Sequence, residues 1–252
     1  MLRTERIEKR YGAFQALKPL DLHVRKGEVF GFLGPNGAGK TTLIRMIAGL
    51  LPPTAGKVWV DGLPMSTHAV EAKRITGFIP DRPYLYEKLT AREFLVFVGG
   101  VYGMSQTECL AKGGLLLEEY GLGGVGDQLI EGFSHGMKQR LTLSVALLHE
   151  PRLIIVDEPM VGLDPGGARQ IKNVFRRLAA EGRTVFLSTH SLDVAQEVCD
   201  RLVILNHGEI VCQGSYDEIR SSAHPQARDL EEVFLRILDE EVQPGSAPKE
   251  GE

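Results

Sequence analysis

The segment that most restricts what this chain can fold into is EVFGFLGPNGAGKTTLIRMIAGL, Glu28 to Leu50. EVFGFL is a compact apolar run and reads as a buried strand. It feeds straight into glycines and then into KTTLIRMIAGL, whose Leu43, Ile44, Ile47 and Ala48 fall on one helical face. Between strand and helix lies GPNGAGKT, which fits the pattern Gly-x4-Gly-Lys-Ser/Thr. Its residues are Gly34, Pro35, Asn36, Gly37, Ala38, Gly39, Lys40 and Thr41, followed by Thr42. The glycines let the backbone turn tightly and aim several N–H groups at one point, and the helix that starts near Lys40 adds its positive end. Such a loop is a phosphate cradle. Lys40 can reach β- and γ-phosphate oxygens, and the Thr41 hydroxyl can ligate Mg²⁺. A coincidental glycine turn is the competing reading, but the strand–helix context is the one the pattern requires.

The rest of the chain supplies a fold for this unit. RIEKRYG, LKPLDLHV and KVWVDG are short β-rich runs punctuated by Gly, Pro or Asp, so an antiparallel layer is expected near the N-terminus. From about Leu89 to Leu122 the pattern turns helical, in TAREFLVFVGGVYGM and QTECLAKGGLLLEEYGL, with Thr90 and Ser105 as helix caps. Strand–helix alternation then resumes. RLIIVDEP is a buried strand, Gly166 to Glu181 a helix, RTVFLSTH a strand, SLDVAQEVCD a helix and RLVILNHGEIVCQG a hairpin. The expected fold class is therefore α/β: a parallel sheet covered by helices around the phosphate loop, an N-terminal antiparallel β layer and an inserted α-helical subdomain. The tail beyond residue 240, with VQPGSAPKEGE from Val242, has the composition of a disordered segment.

Two strand ends carry further chemistry. LIIVDEP closes on Asp157 and Glu158, and a carboxylate at the end of a buried strand can face the phosphate pocket of a doubly wound sheet. Asp157 suits Mg²⁺, which keeps much of its hydration shell, and Glu158 can polarise an attacking water. The bland alternative is a pair of solvated acids at a strand end. His190, in STHS, either caps the following helix or donates to a γ-phosphate, and its place on the edge where Asp157 should lie favours the second.

Bulk properties narrow the classes. The formal net charge of -4 gives no global basic field, which argues against non-specific binding of nucleic acid. Cys109, Cys199 and Cys212 share no metal-site or redox spacing and read as small apolar residues. The first residues are charged and lack the apolar core of a signal peptide. The longest apolar stretch, Phe94 to Met104, is about half a membrane span. No crossing of a bilayer by this chain is expected.

In combination and order, GPNGAGKTT, FSHGMKQR, LIIVDEPMVGLDP and STH resemble the ATP-binding subunits of ABC transporters, over Tyr11 to about Leu238. The resemblance implies one ATPase domain over residues 1–240 with the helical insert at about 88–150, binding ATP and Mg²⁺. It implies Glu158 and His190 as catalytic, Thr41 and Asp157 on the metal, and residues Gly34 to Thr42 around the phosphates. Tyr11, in RYGAFQAL, resembles an adenine-stacking aromatic; a half-buried strand tyrosine is the alternative. Ser134 and Gly136, in FSHGMKQR, resemble the signature that clamps a nucleotide held by an opposite subunit, and Asp164, in GLDP, the loop linking the two sites, although that segment is also a plain turn. Two departures stand out. Asp81, in GFIPDRPYLY, occupies the position of a glutamine that touches Mg²⁺ and the membrane partner. The signature carries His135 and Met137 where LSGGQ is common. This variant, with DLEEVFLRIL near the C-terminus, resembles a bacterial exporter branch. The implied partners are a polytopic permease and a second ATP-binding subunit, either a copy or a close paralogue, at the cytoplasmic face of the inner membrane. The rival reading is a soluble single-cassette ATPase of the same type, acting in cluster assembly, repair or translation.

Overall fold

The structure, a computed structural model, describes residues 1–160, 165–223, 232 and 234. The chain builds two sheets. The first is antiparallel and contains β1 (Leu2–Tyr11), β2 (Phe14–Val24), β4 (Ala55–Val60) and β5 (Leu63–Pro64), in the order β2-β1-β4-β5. It is the β layer anticipated from RIEKRYG and its neighbours; the two-residue β5 carries no sequence signal of its own. The second sheet contains β3 (Val29–Leu33), β6 (Thr76–Ile79), β7 (Leu153–Asp157), β8 (Thr184–Thr189), β9 (Arg201–Asn206) and β10 (Glu209–Gly214). Its order is β10-β9-β3-β8-β7-β6, parallel throughout except for the closing β9–β10 hairpin.

The central strands are buried along their whole length, which is why they read as unbroken apolar runs. Alternate residues serve opposite faces. Phe30, Phe32, Leu153, Ile155 and Phe186 pack towards the antiparallel sheet and helix α1 (Lys40–Ile47). Val29, Ile154, Val156, Val185 and Leu187 pack towards α6 (Pro165–Ala180) and α7 (Leu192–Val198). On α1, Met46 is buried together with the anticipated apolar face, because both the sheet and the β layer close on the helix. Helix α2 (Ala69–Arg74) leads into β6, and α8 (Tyr216–Ala223) follows β10.

Between β6 and β7 lie α3 (Ala91–Val101), α4 (Gln106–Glu119) and α5 (His135–Leu147). Thr90 and Ser105 close full capping boxes with Glu93 and Glu108, each satisfying orphan N–H groups at a helix start. These helices share an apolar core of their own, with Phe94, Leu95, Leu117, Ile130, Leu141 and Leu148. Among the described residues no helix is long and apolar enough to cross a membrane. Cys109 is buried and Cys199 and Cys212 are half-buried free thiols, with burial pushing all three upward in pKa, as expected of inert small apolar residues.

Candidate active site

Parallel pairing brings the chemistry to one edge. Leu33 pairs with Thr189, Asp157 with Ser188, and Ile79 with Val156, so β3, β8, β7 and β6 all end together. Just beyond these strand ends stand the groups that the sequence singles out: the glycine loop after β3, His190 after β8, Glu158 after β7 and Asp81 after β6.

The loop is shaped by two glycines that no other residue could replace without strain. Gly39 has φ 106°, and a Cβ there would lie 2.7 Å from the Ala16 carbonyl oxygen. A Cβ on Gly34 would lie 2.3 Å from the Leu205 carbonyl oxygen. Gly39 starts α1 without a side-chain cap and no acidic residue lies in the first turn, so the N–H groups there remain open to an anion. Lys40 is 7% exposed and its Nζ donates to the Gly34 oxygen at 2.6 Å and the Pro35 oxygen at 3.1 Å. Burial lowers the pKa of this ammonium, while Glu158 and Asp157 pull it back upward.

Asp157 is buried, and its carboxyl is pushed above the usual range, first by burial and then by repulsion from Asp81 and Glu158. The neighbouring Ser188 hydroxyl and Lys40 act in the opposite sense. Among the described residues the Ser188 Oγ makes no well-formed hydrogen bond. Glu158 adopts φ 48°, in the left-handed region, immediately before Pro159. That conformation costs about 1–2 kcal/mol for an ordinary residue and persists only where the surroundings hold it. One restraint is the Glu158 N–H, which donates to the Ser188 carbonyl at 3.0 Å. Its Oε2 lies 2.9 Å from His190 Nδ1. His190 does not cap α7: Ser191 does, accepting from the Val194 N–H. The helix-cap reading of His190 is thereby displaced, and the imidazole instead meets Glu158.

A cavity of about 440 Å³ gathers most of these groups. Asn36, Gly37, Gly39, Lys40, Thr41 and Thr42 line one side, and Asp81, Asp157 and Glu158 stand opposite. Tyr11, Phe14 and Ala16 complete the lining. Tyr11 and Phe14 face each other across the β1–β2 turn and are 49% and 65% exposed, an unusual state for two rings beside a phosphate loop. Lys9 Nζ lies 5.2 Å from the Tyr11 ring centre. No sequence motif singles out Phe14; its pairing with Tyr11 across a tight turn is the signal that points to it. Gly34, Pro35 and Ala38 lie behind the lining, where the first two hold Lys40.

Ser134 is exposed and caps α5 by accepting from the Met137 N–H at 3.3 Å. Neither it nor Gly136 belongs to the cavity lining. Asp164 and the tail beyond residue 240 lie outside the described residues.

The family model described as ABC transporter matches residues 17–161. The chain is 39% identical over 221 residues to the linearmycin resistance ATP-binding protein LnrL of Bacillus subtilis (strain 168), covering 88% of this chain and 71% of that one. A structure of the ATP binding subunit of an ABC transporter superposes with TM-score 0.88 at 33% identity, covering 94% of this chain and 99% of that one. A dimeric, post-hydrolysis ATP-binding cassette bound to ADP and Pi superposes with TM-score 0.78 at 27% identity, over 85% of this chain and 98% of that one. Phosphate cradle, strand-end carboxylates, fold and relatives agree: the chain belongs to the ABC transporter family, as an ATP-binding and ATP-hydrolysing transport subunit.

Proposed function

We propose that this subunit, one ATPase domain over residues 1–240 with the helical insert at about 88–150, drives export through a separate polytopic permease at the cytoplasmic face of the membrane. The similarity to LnrL, a linearmycin resistance protein, supports the outward direction. Export also agrees with the variant signature from Ser134 to Arg140. The observation that carries the mechanism is the split of donors: the cavity holds the cradle and the carboxylates, while Ser134 opens α5 elsewhere. Two copies, or this chain and a paralogue, complete each other's sites, with Ser134 and Gly136 of one supplying the triphosphate held by the cradle of the other. Asp164 belongs to the link between the two sites. Tyr11 stacks on the base, Lys40 and the loop N–H groups hold the phosphates, and Glu158 orients and deprotonates the attacking water. His190, in contact with Glu158, fixes that carboxylate and faces the γ-phosphate.

The donors present fit Mg²⁺. Thr41, Asp81 and Asp157 offer hard oxygens on one cavity. Mutual repulsion of the carboxylates is relieved by a divalent cation. When bound, the ion neutralises charge developing on the transferred phosphoryl group.

The test is complementation. Lys40→Met and Ser134→Ala should each be inactive alone, because each homodimer loses a component of both sites. A mixture rebuilds one complete site per mixed dimer, so ATP hydrolysis should return. Activity no greater than the sum of the two parents would place Ser134 and the cradle in independent roles and refute the shared site.

A further inference from the structure

Gln139 lies on the second turn of α5, the helix that begins at Ser134, and is 1% exposed. Its Nε2 donates to the Pro159 carbonyl at 3.4 Å. Only the amide NH₂ can face a carbonyl oxygen, so the orientation of the side chain is fixed. Oε1 is consequently buried, with no donor among the described residues. A buried amide held with half its capacity unused is a poor packing element, since an apolar side chain of the same size would leave no orphan. Its value lies in what it holds. Pro159 follows Glu158, whose left-handed backbone is restrained on the strand side by Ser188 and on the helix side by Gln139.

We propose that Gln139 is a positioning residue for hydrolysis: it ties the helix that starts at Ser134 to the turn carrying Glu158, so that seating a neighbour's triphosphate on Ser134 sets the general base of this chain's own site. The inference rests on the shared-site reading and adds a direction of coupling to it. A shift of α5 along its axis moves Gln139 as far as Ser134, because both belong to one rigid helix. The Pro159 carbonyl follows, and with it the turn that carries Glu158, already in a sparsely allowed conformation; among the described residues Gln139 is the hydrogen-bond donor to that carbonyl.

The experiment uses the purified full chain. Gln139→Leu removes the tie and the orphan together at similar volume, and Gln139→Met serves the same end with a more adaptable side chain. We expect the melting temperature to hold within about 3 °C or rise. ATP affinity and the ATP-dependent dimerisation of the Glu158→Gln form should be unchanged by the added substitution. Turnover should fall about tenfold or more, since displacement of a catalytic group by about 1 Å costs up to about 10²-fold. The signature is a loss of kcat at constant KM. Wild-type kcat in both variants, with Ser134→Ala still inactive, would sink the coupling and leave the shared site standing. A kcat loss accompanied by weaker ATP binding or dimerisation would reduce Gln139 to packing and also overturn the proposal. Full activity of Ser134→Ala would remove the shared site and the coupling with it.

Discussion

Substituting Lys40 by methionine probes the cradle most directly, and its magnitude follows from the hydrogen bonds already in place. The ammonium has three protons to give. Two of them are engaged, with the carbonyls of Gly34 and Pro35. A phosphate therefore gains one uncommitted N–H without disturbing the loop. A charge-assisted hydrogen bond is worth about 1.5–3 kcal/mol net, so Lys40→Met should weaken ATP about 10- to 150-fold, at 1.4 kcal/mol per decade. A larger loss would mean that the phosphate also takes over a loop bond. The fold should survive, because losing two internal hydrogen bonds is offset by no longer burying a cation. The measurement is calorimetric titration with ATP and Mg²⁺ in a Glu158→Gln background, which prevents turnover, with melting curves to verify folding. A folded variant whose affinity changes less than about threefold would refute the assignment of Lys40 to the phosphates.

Two further outcomes are expected. Phe14→Ala should weaken ATP about fivefold, the lower end of the ~1–3 kcal/mol range for stacking a base on an aromatic ring, since this ring stands at the rim. GTP should lose equally if the contact is a π-face, and titration of both nucleotides with unchanged affinities would remove Phe14 from the site. His149 gives a pH signature. Its ring stacks on Tyr102 at 3.7 Å between centres, Nε2 contacts the Thr76 oxygen, and Nδ1 is buried without a partner among the described residues. Burial lowers its pKa, outweighing the Thr76 contact. A folded state that resists protonation loses stability as pH falls below the unfolded value of about 6.5. The melting temperature of wild type relative to His149→Phe should therefore fall between about pH 7.5 and 5.5, and a constant difference across that range would exclude His149 as the group responsible.

The sheet and the cradle were legible because their signals are local. EVFGFL is apolar because β3 is covered on both faces, and Gly34 and Gly39 of GPNGAGKT are demanded by backbone that approaches within van der Waals distance. The same holds for Thr90 and Ser105, whose capping partners lie three residues on. Contacts made across the fold were not legible. The Gln139–Pro159 and His190–Glu158 pairs join residues 20 and 32 positions apart, and no periodicity records them. His190 illustrates the limit well: a histidine at a strand end beside Ser191 offers two candidate caps, and only the folded geometry selects the serine.

Helix α5 also lacks the single apolar stripe by which a surface helix is recognised, and the reason carries a consequence. Leu141 and Leu148 enter the core of the insert, while Leu143, Ala146 and Leu147 enter the one beneath the sheet. From Gln139 to Leu148 no residue of this stretch is exposed. From Gln139 onward the helix is thus a beam flanked on both sides, and a push along its axis is passed on rather than absorbed. Force applied at its first residue must reappear in its bearings, in the sheet and in the insert alike.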